Sequence, residues 1–190
     1  MDDEERQRRV RIVVGECEGI QPHYVAFYIE AIFYAAERGT IAFDRFSELV
    51  ATGGTASDIV ASAHEALGHA AALSRFFFPV DRKALARARA GQLRQIFAVG
   101  NSSALQDRDL RNAIEHFDER LDEYLLEDIA GYLFPGPKVG DASLADDPIG
   151  YIFRLVDPAT ETFVLLGKKH AFGAMRAEVA QISELAARLR

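Results

Sequence analysis

The sequence predicts a mainly α-helical protein, an up-and-down bundle of about five or six helices with a small C-terminal β-hairpin. Three observations lead there. Residues 55–77 repeat apolar side chains at spacings of four and three. Residues 110–124, LRNAIEHFDERLDEY, do the same inside a stretch dominated by charge. The runs YIFRLV (151–156) and TFVLLG (162–167) flank the turn DPATE.

Taken in order, residues 1–9 are charged and expected to fray, and RVRIVV (9–14) has the β-branched content of a short strand. GECEGIQP reads as a loop. A first helix is expected over His23–Glu37, following Pro22 and ending at Gly39, with Phe27, Ala31, Tyr34 and Ala35 on one face. A shorter helix over Ile41–Val50 ends at ATGGT. Thr55–Phe77 has the fullest set of helix signals. Thr55 and Ser57 are N-cap residues, Asp58 complements the dipole in the first turn, and Pro79 stops the helix. Its seam of Ile59, Ala63, Ala66, Ala70, Leu73 and Phe77 is small enough for a neighbouring helix to approach closely. Asp81–Val99 follows as a helix with basic residues at 82, 83, 87, 89 and 94, expected to balance acids on a neighbour. GNSSALQDRD is a turn, Leu110–Tyr132 a helix, and 135–148 (PGPKVGDASLADDP) the longest loop. After the hairpin, Met175–Arg190 forms a last amphipathic helix.

At 190 residues, one domain spanning 1–190 is expected, with the hairpin at about 151–167. No apolar run approaches the roughly 18 residues needed to span a bilayer. The N-terminus opens on acids, without the basic and apolar regions of a secretory signal. These features predict a soluble, cytoplasmic protein that does not engage membranes. Cys17, the one cysteine, can form no internal disulfide. Net charge is −7, from 29 acids and 22 bases, which argues against a broad nucleic-acid surface but leaves room for a local phosphate site.

The candidate site lies in residues 110–124. On a helical wheel, Leu110, Ile114, Phe117, Leu121, Tyr124 and Leu125 fall within about 60° of a common direction. His116 falls at about 240° from Leu110, far from that stripe. Asn112, His116, Glu119 and Glu123 form one polar row, and Arg111, Glu115, Asp118 and Asp122 the other. The plain reading of such rows is a solvated face, with Arg111 and Glu115 as an i, i+4 pair. The functional reading starts from chemistry. Cleaving RNA without a metal needs a group near neutral pKa to move the 2′-hydroxyl proton and a fixed cation for the phosphate; His and Arg are the residue types for those roles. Arg111 and His116 lie about 140° apart, flanking the polar face, and would converge best across a two-fold dimer interface.

RNAIEH is R-N-x-x-x-H, which resembles the motif of the HEPN superfamily, late in an all-helical bundle. The longer segments DLRNAIEHFDERLDEY and HAAALSRFFFP (69–79) also resemble a group of bacterial HEPN-like proteins of unassigned role. The resemblance implies a helical homodimer. Many members are metal-independent ribonucleases of toxin–antitoxin and defence systems; others are binding modules without activity. By that resemblance Arg111 would hold the phosphate, Asn112 would be its polar neighbour and His116 would transfer protons. The toxin-like branch often carries a tyrosine two residues after the histidine, where this chain has Asp118. Glu115, Asp118, Glu119 and Asp122 would repel an RNA backbone.

In HEALGH, His64 and His69 are five apart, whereas zinc helices place histidines four apart on one face, so no metal site is expected. His64 points to the polar side. His69, at the edge of the seam, and Arg75 are the candidate substrate-binding residues; a histidine hydrogen-bonded at a helix–helix boundary is the plainer role for His69. The three phenylalanines at 76–78 suit a core or a dimer interface. ATGG and GTASD lack the context of a phosphate-binding loop, and no cofactor is expected. Two readings follow. One is a non-catalytic HEPN-like module that binds a nucleotide or a protein partner. The other is a metal-independent endoribonuclease using Arg111 and His116 across a dimer.

Overall fold

The computed structural model describes residues 2–81, 83–127 and 131–190. It is mainly helical, with a small four-stranded sheet near the C-terminus. The described residues form helices α1 (Asp3–Glu16), α2 (Val25–Thr52), α3 (Ala56–Phe77), α4 (Ala84–Ile96), α5 (Arg108–Glu115), α6 (Phe117–Leu126) and α7 (Gly173–Leu189). The strands are β1 (Tyr132–Val139), β2 (Gly150–Asp157), β3 (Thr162–Leu165) and β4 (Lys168–Ala171).

RVRIVV is helical, not a strand. The Asp2 carboxylate caps α1 by accepting from the Glu5 N–H at 2.8 Å, and Glu5 pairs with Arg8 and Arg9 one turn on. Capping and i, i+3 or i+4 pairing overrule the β-branched content, which finds no neighbouring strand.

The two helices expected over 23–50 are one. A helix of 28 residues, about 42 Å long, runs through Gly39. Gly39 is there for close packing: a Cβ would lie 3.1 Å from Val179 Cγ1 of α7 and 3.4 Å from His69 Cβ of α3. The helix ends at Thr52, two residues past Val50, and Gly53, with a φ of 73°, is its left-handed cap.

α3 matches its signals. The Thr55 hydroxyl accepts from the Asp58 N–H at 3.2 Å, and the alanine-rich seam is buried against α2. Phe77 and Phe78 are core, and Phe77 meets Phe97 edge-on with ring centroids 5.7 Å apart. Two basic residues of α4 meet rings instead of a neighbouring helix's acids, Arg89 lying over Tyr28 and Arg94 over Phe78, while Lys83 pairs with Asp81 just before the helix. Arg82 lies outside the described residues.

The helix expected over Leu110–Tyr132 is broken at His116 (φ −113°, ψ 41°). Residues 128–130 of that span lie outside the described residues, and Tyr132 starts β1. The apolar stripe survives the break, except that Leu125 is exposed.

The expected hairpin is β2 and β3, paired antiparallel from Arg154–Leu165 to Asp157–Thr162. Tertiary pairing enlarges it to the order β1-β2-β3-β4. Residues 135–139, expected as loop, belong to β1, which pairs parallel with β2 through an irregularity between Phe134 and Pro137. Two prolines are tolerated because β1 is an edge strand, where a missing N–H need not interrupt a ladder on both sides. One face of the sheet contributes Val156, Phe163 and Leu165 to the main helical core. The other buries Ile152, Leu155 and Val164 under the turn at Ala142–Asp146. Burial on both faces explains why β2 and β3 read as continuous apolar runs. No helix among the described residues is long and apolar enough to cross a membrane.

Candidate functional site

The segments that carry the HEPN resemblance, 69–79 and 109–124, meet in space. α5 starts at Asp107, whose carboxylate accepts from the Asp109 and Leu110 N–H groups at 2.8 and 3.3 Å. That start turns Leu110 and Arg111 together onto the C-terminal end of α3.

Arg111 is therefore not on the polar face. It is 2% exposed. Its Nη1 donates to the Phe78 carbonyl at 3.1 Å and to Ser74 Oγ at 3.4 Å. The Ser74 hydroxyl, also buried, donates in turn to the Ala71 carbonyl at 2.8 Å. The last carbonyls of a helix lack intrahelical donors and carry partial negative charge, so a guanidinium here caps α3. The residual space beside Arg111 is about 10 Å³, hardly room for one water.

The other expected residues lie around this clamp. Glu115 reaches across to α3, where Arg75 Nε donates to its Oε1 at 2.8 Å; this is the ion pair it makes, in place of the expected partnership with Arg111. Asn112 is half-buried, and its carbonyl accepts from the His116 N–H at 2.9 Å. His116 is exposed on the turn between α5 and α6, as its wheel position predicts, with Nδ1 3.7 Å from Glu119 Oε2. Arg120 donates to Glu123 at 3.2 Å. Arg75 and Arg120 thus each face a carboxylate. Asp118, Glu119, Asp122 and Glu123 are exposed. His69 is not drawn into this group: it sits at the α2–α3 boundary opposite Gly39, while Arg75 faces α5.

No family model matches the chain, and no curated protein or solved structure matches it either.

Chemically, the junction offers one exposed imidazole among acids, beside cations that already have partners. Among the described residues, no group of three or more His, Cys, Asp and Glu is placed to hold a metal ion. Burial shifts the pKa of two histidines elsewhere. His64 is half-buried, not simply on the polar side. Burial, and secondarily the charge of Arg154, push its pKa below the ordinary value. His170, on β4, is buried, and burial pushes its pKa down against the opposing pull of Asp107 and Asp109. Sequence periodicity could not single out either one. His64 is half covered by the sheet, and His170 lies in a four-residue strand that the hairpin signal stopped short of.

Proposed function

We propose that the chain is a HEPN-like, homodimeric binding module that does not cleave RNA and whose ligand is a protein. The observation that carries this reading is Arg111. Metal-free cleavage needs a cation at the scissile phosphate. Here the arginine of the R-N-x-x-x-H motif is buried, bonded to Phe78 and Ser74, and separated from the exposed His116. Moving it to a phosphate would leave the end of α3 uncapped and its carbonyl without a buried donor. The exposed acids on α6 favour a basic protein surface over a nucleotide.

Support for the dimer comes from α2. Phe27 and Tyr34 are 71% and 63% exposed, and Ile41 follows at the same interval of seven. With Ala31 and Arg38 they form a heptad-spaced stripe on the outer face. Antiparallel pairing of two copies sets Phe27 against Arg38 of the other helix and Ala31 against Tyr34, matching ring to cation and small to large.

The deciding experiment is RNA cleavage by the purified protein in excess chelator, beside His116→Ala. The expected result is no cleavage by either protein. Cleavage by the wild type that leaves 2′,3′-cyclic phosphate ends and vanishes in His116→Ala would overturn the reading and establish the ribonuclease alternative.

A further inference from the structure

Where α6 starts at Phe117, a cleft between α3 and strands β1 and β2 holds a cation that pairs with no carboxylate among the described residues. Arg154 of β2 lies over two rings, with its guanidinium carbon 4.7 Å from the centroid of Phe117 and 4.9 Å from that of Phe153. Burial lowers its pKa from the ordinary value, and its Nε is enclosed without a hydrogen-bond partner. Among the described residues no carboxylate pairs with it. Ring faces attract a cation but accept hydrogen bonds poorly, so the guanidinium is left short of acceptors in a partly dry place.

Opposite Arg154, α3 presents His64, half-buried with its ring 5.8 Å from that of Phe163. Both residues line the same cleft, of about 490 Å³. Val60, Ala61, Pro135 and Pro137 supply apolar walls, and exposed Glu65 stands among the lining residues. An apolar cleft of this size with a few convergent polar groups suits a small molecule.

We propose that this cleft binds a small monocarboxylate with an apolar body, its carboxylate seated on Arg154 and hydrogen-bonded by His64. A guanidinium fork matches the two oxygens of a carboxylate, and one positive charge matches one negative charge. A phosphate dianion would bring surplus charge beside Glu65, in a chain whose net charge is −7. The apolar walls call for a hydrocarbon body of the ring or short-chain kind. The site does not depend on Arg111 or His116, so it stands apart from the function proposed above.

The test titrates the full chain with phenylacetate and follows the His64 imidazole by NMR, with inorganic phosphate, AMP and uncharged phenylacetamide as parallel probes. Saturable shifts with phenylacetate are expected, with much weaker responses to the other three. Arg154→Met, checked for folding by circular dichroism, is expected to weaken binding by about tenfold or more. If that variant does not fold, Arg154→Lys serves instead: it keeps the charge, loses the fork, and is expected to weaken binding measurably. No saturable shift with phenylacetate would overturn the proposal. So would equal binding of phenylacetamide, tighter binding of AMP or phosphate, or unchanged binding by a folded Arg154 variant.

Discussion

Arg111 and His116 are five residues apart and live in different physical worlds. Arg111 caps the end of α3 from a buried position, and His116 stands in solvent on a turn. Their substitutions should separate accordingly. Arg111→Ala is expected to destabilise the fold by about 3 kcal/mol, because it leaves a buried carbonyl and hydroxyl without their donor. His116→Ala should stay within about 0.5 kcal/mol of the wild type. Urea denaturation measures both, and an Arg111→Ala protein as stable as wild type would show that the clamp contributes nothing. A second prediction concerns protons. His64 and His170 both have pKa values lowered by burial, so each binds a proton more weakly folded than unfolded. Below the unfolded value of about 6.5 the unfolded chain therefore holds more protons, and stability falls as pH drops through that range. Above it both are neutral in either state and contribute no slope. The melting temperature should fall between about pH 7.5 and pH 5. His64→Gln together with His170→Gln should flatten part of that fall. Asp157 adds to the same trend lower down. Its carboxylate accepts from the Ala142, Ala159 and Thr160 N–H groups, which hold its pKa below the ordinary carboxylate value, and that stabilisation is lost as it is protonated.

At the scale of elements, local signals prevailed where both a period and a cap were present. Thr55–Phe77 had both, and α3 follows them to within a residue. RVRIVV had only composition, and a strand without a neighbour yields to a capped helix. Gly39 misled as a stop signal because its role lies in two other helices. Gly39→Val should cost about 2 kcal/mol through collision with Val179 and the His69 Cβ, measurable by thermal denaturation. The outer face of α2 gives the element-scale test of the proposed dimer. Phe27→Asp combined with Tyr34→Asp is expected to convert a dimer to a monomer in sedimentation without lowering helical content, since both residues are exposed in the single chain. A wild-type protein that sediments as a monomer at high concentration would remove the dimer from the proposal.

For the whole molecule, stability should be graded from the centre outward. α2, α3, α7 and the inner strands β2 and β3 share the main core, whereas α1 buries no residue fully. Hydrogen exchange is expected to be slowest in α2 and α3 and fastest in α1. The sequence by itself determined the helical class, the course of α3 with its caps, the hairpin at β2 and β3, and the position of His116 off the core face. These rest on periodicity and capping, whose causes lie within a turn or two of chain. It could not place Arg111, because the groups that bury it, Ser74 and Phe78, are 37 and 33 residues away. Nor could it enlist the proline-bearing β1 into the sheet, join two helices through Gly39, or bring Arg154 opposite His64. In each case the deciding partner comes from a distant segment. A polar or strand-poor residue is accommodated there by what packs against it, and only the tertiary structure supplies that neighbour.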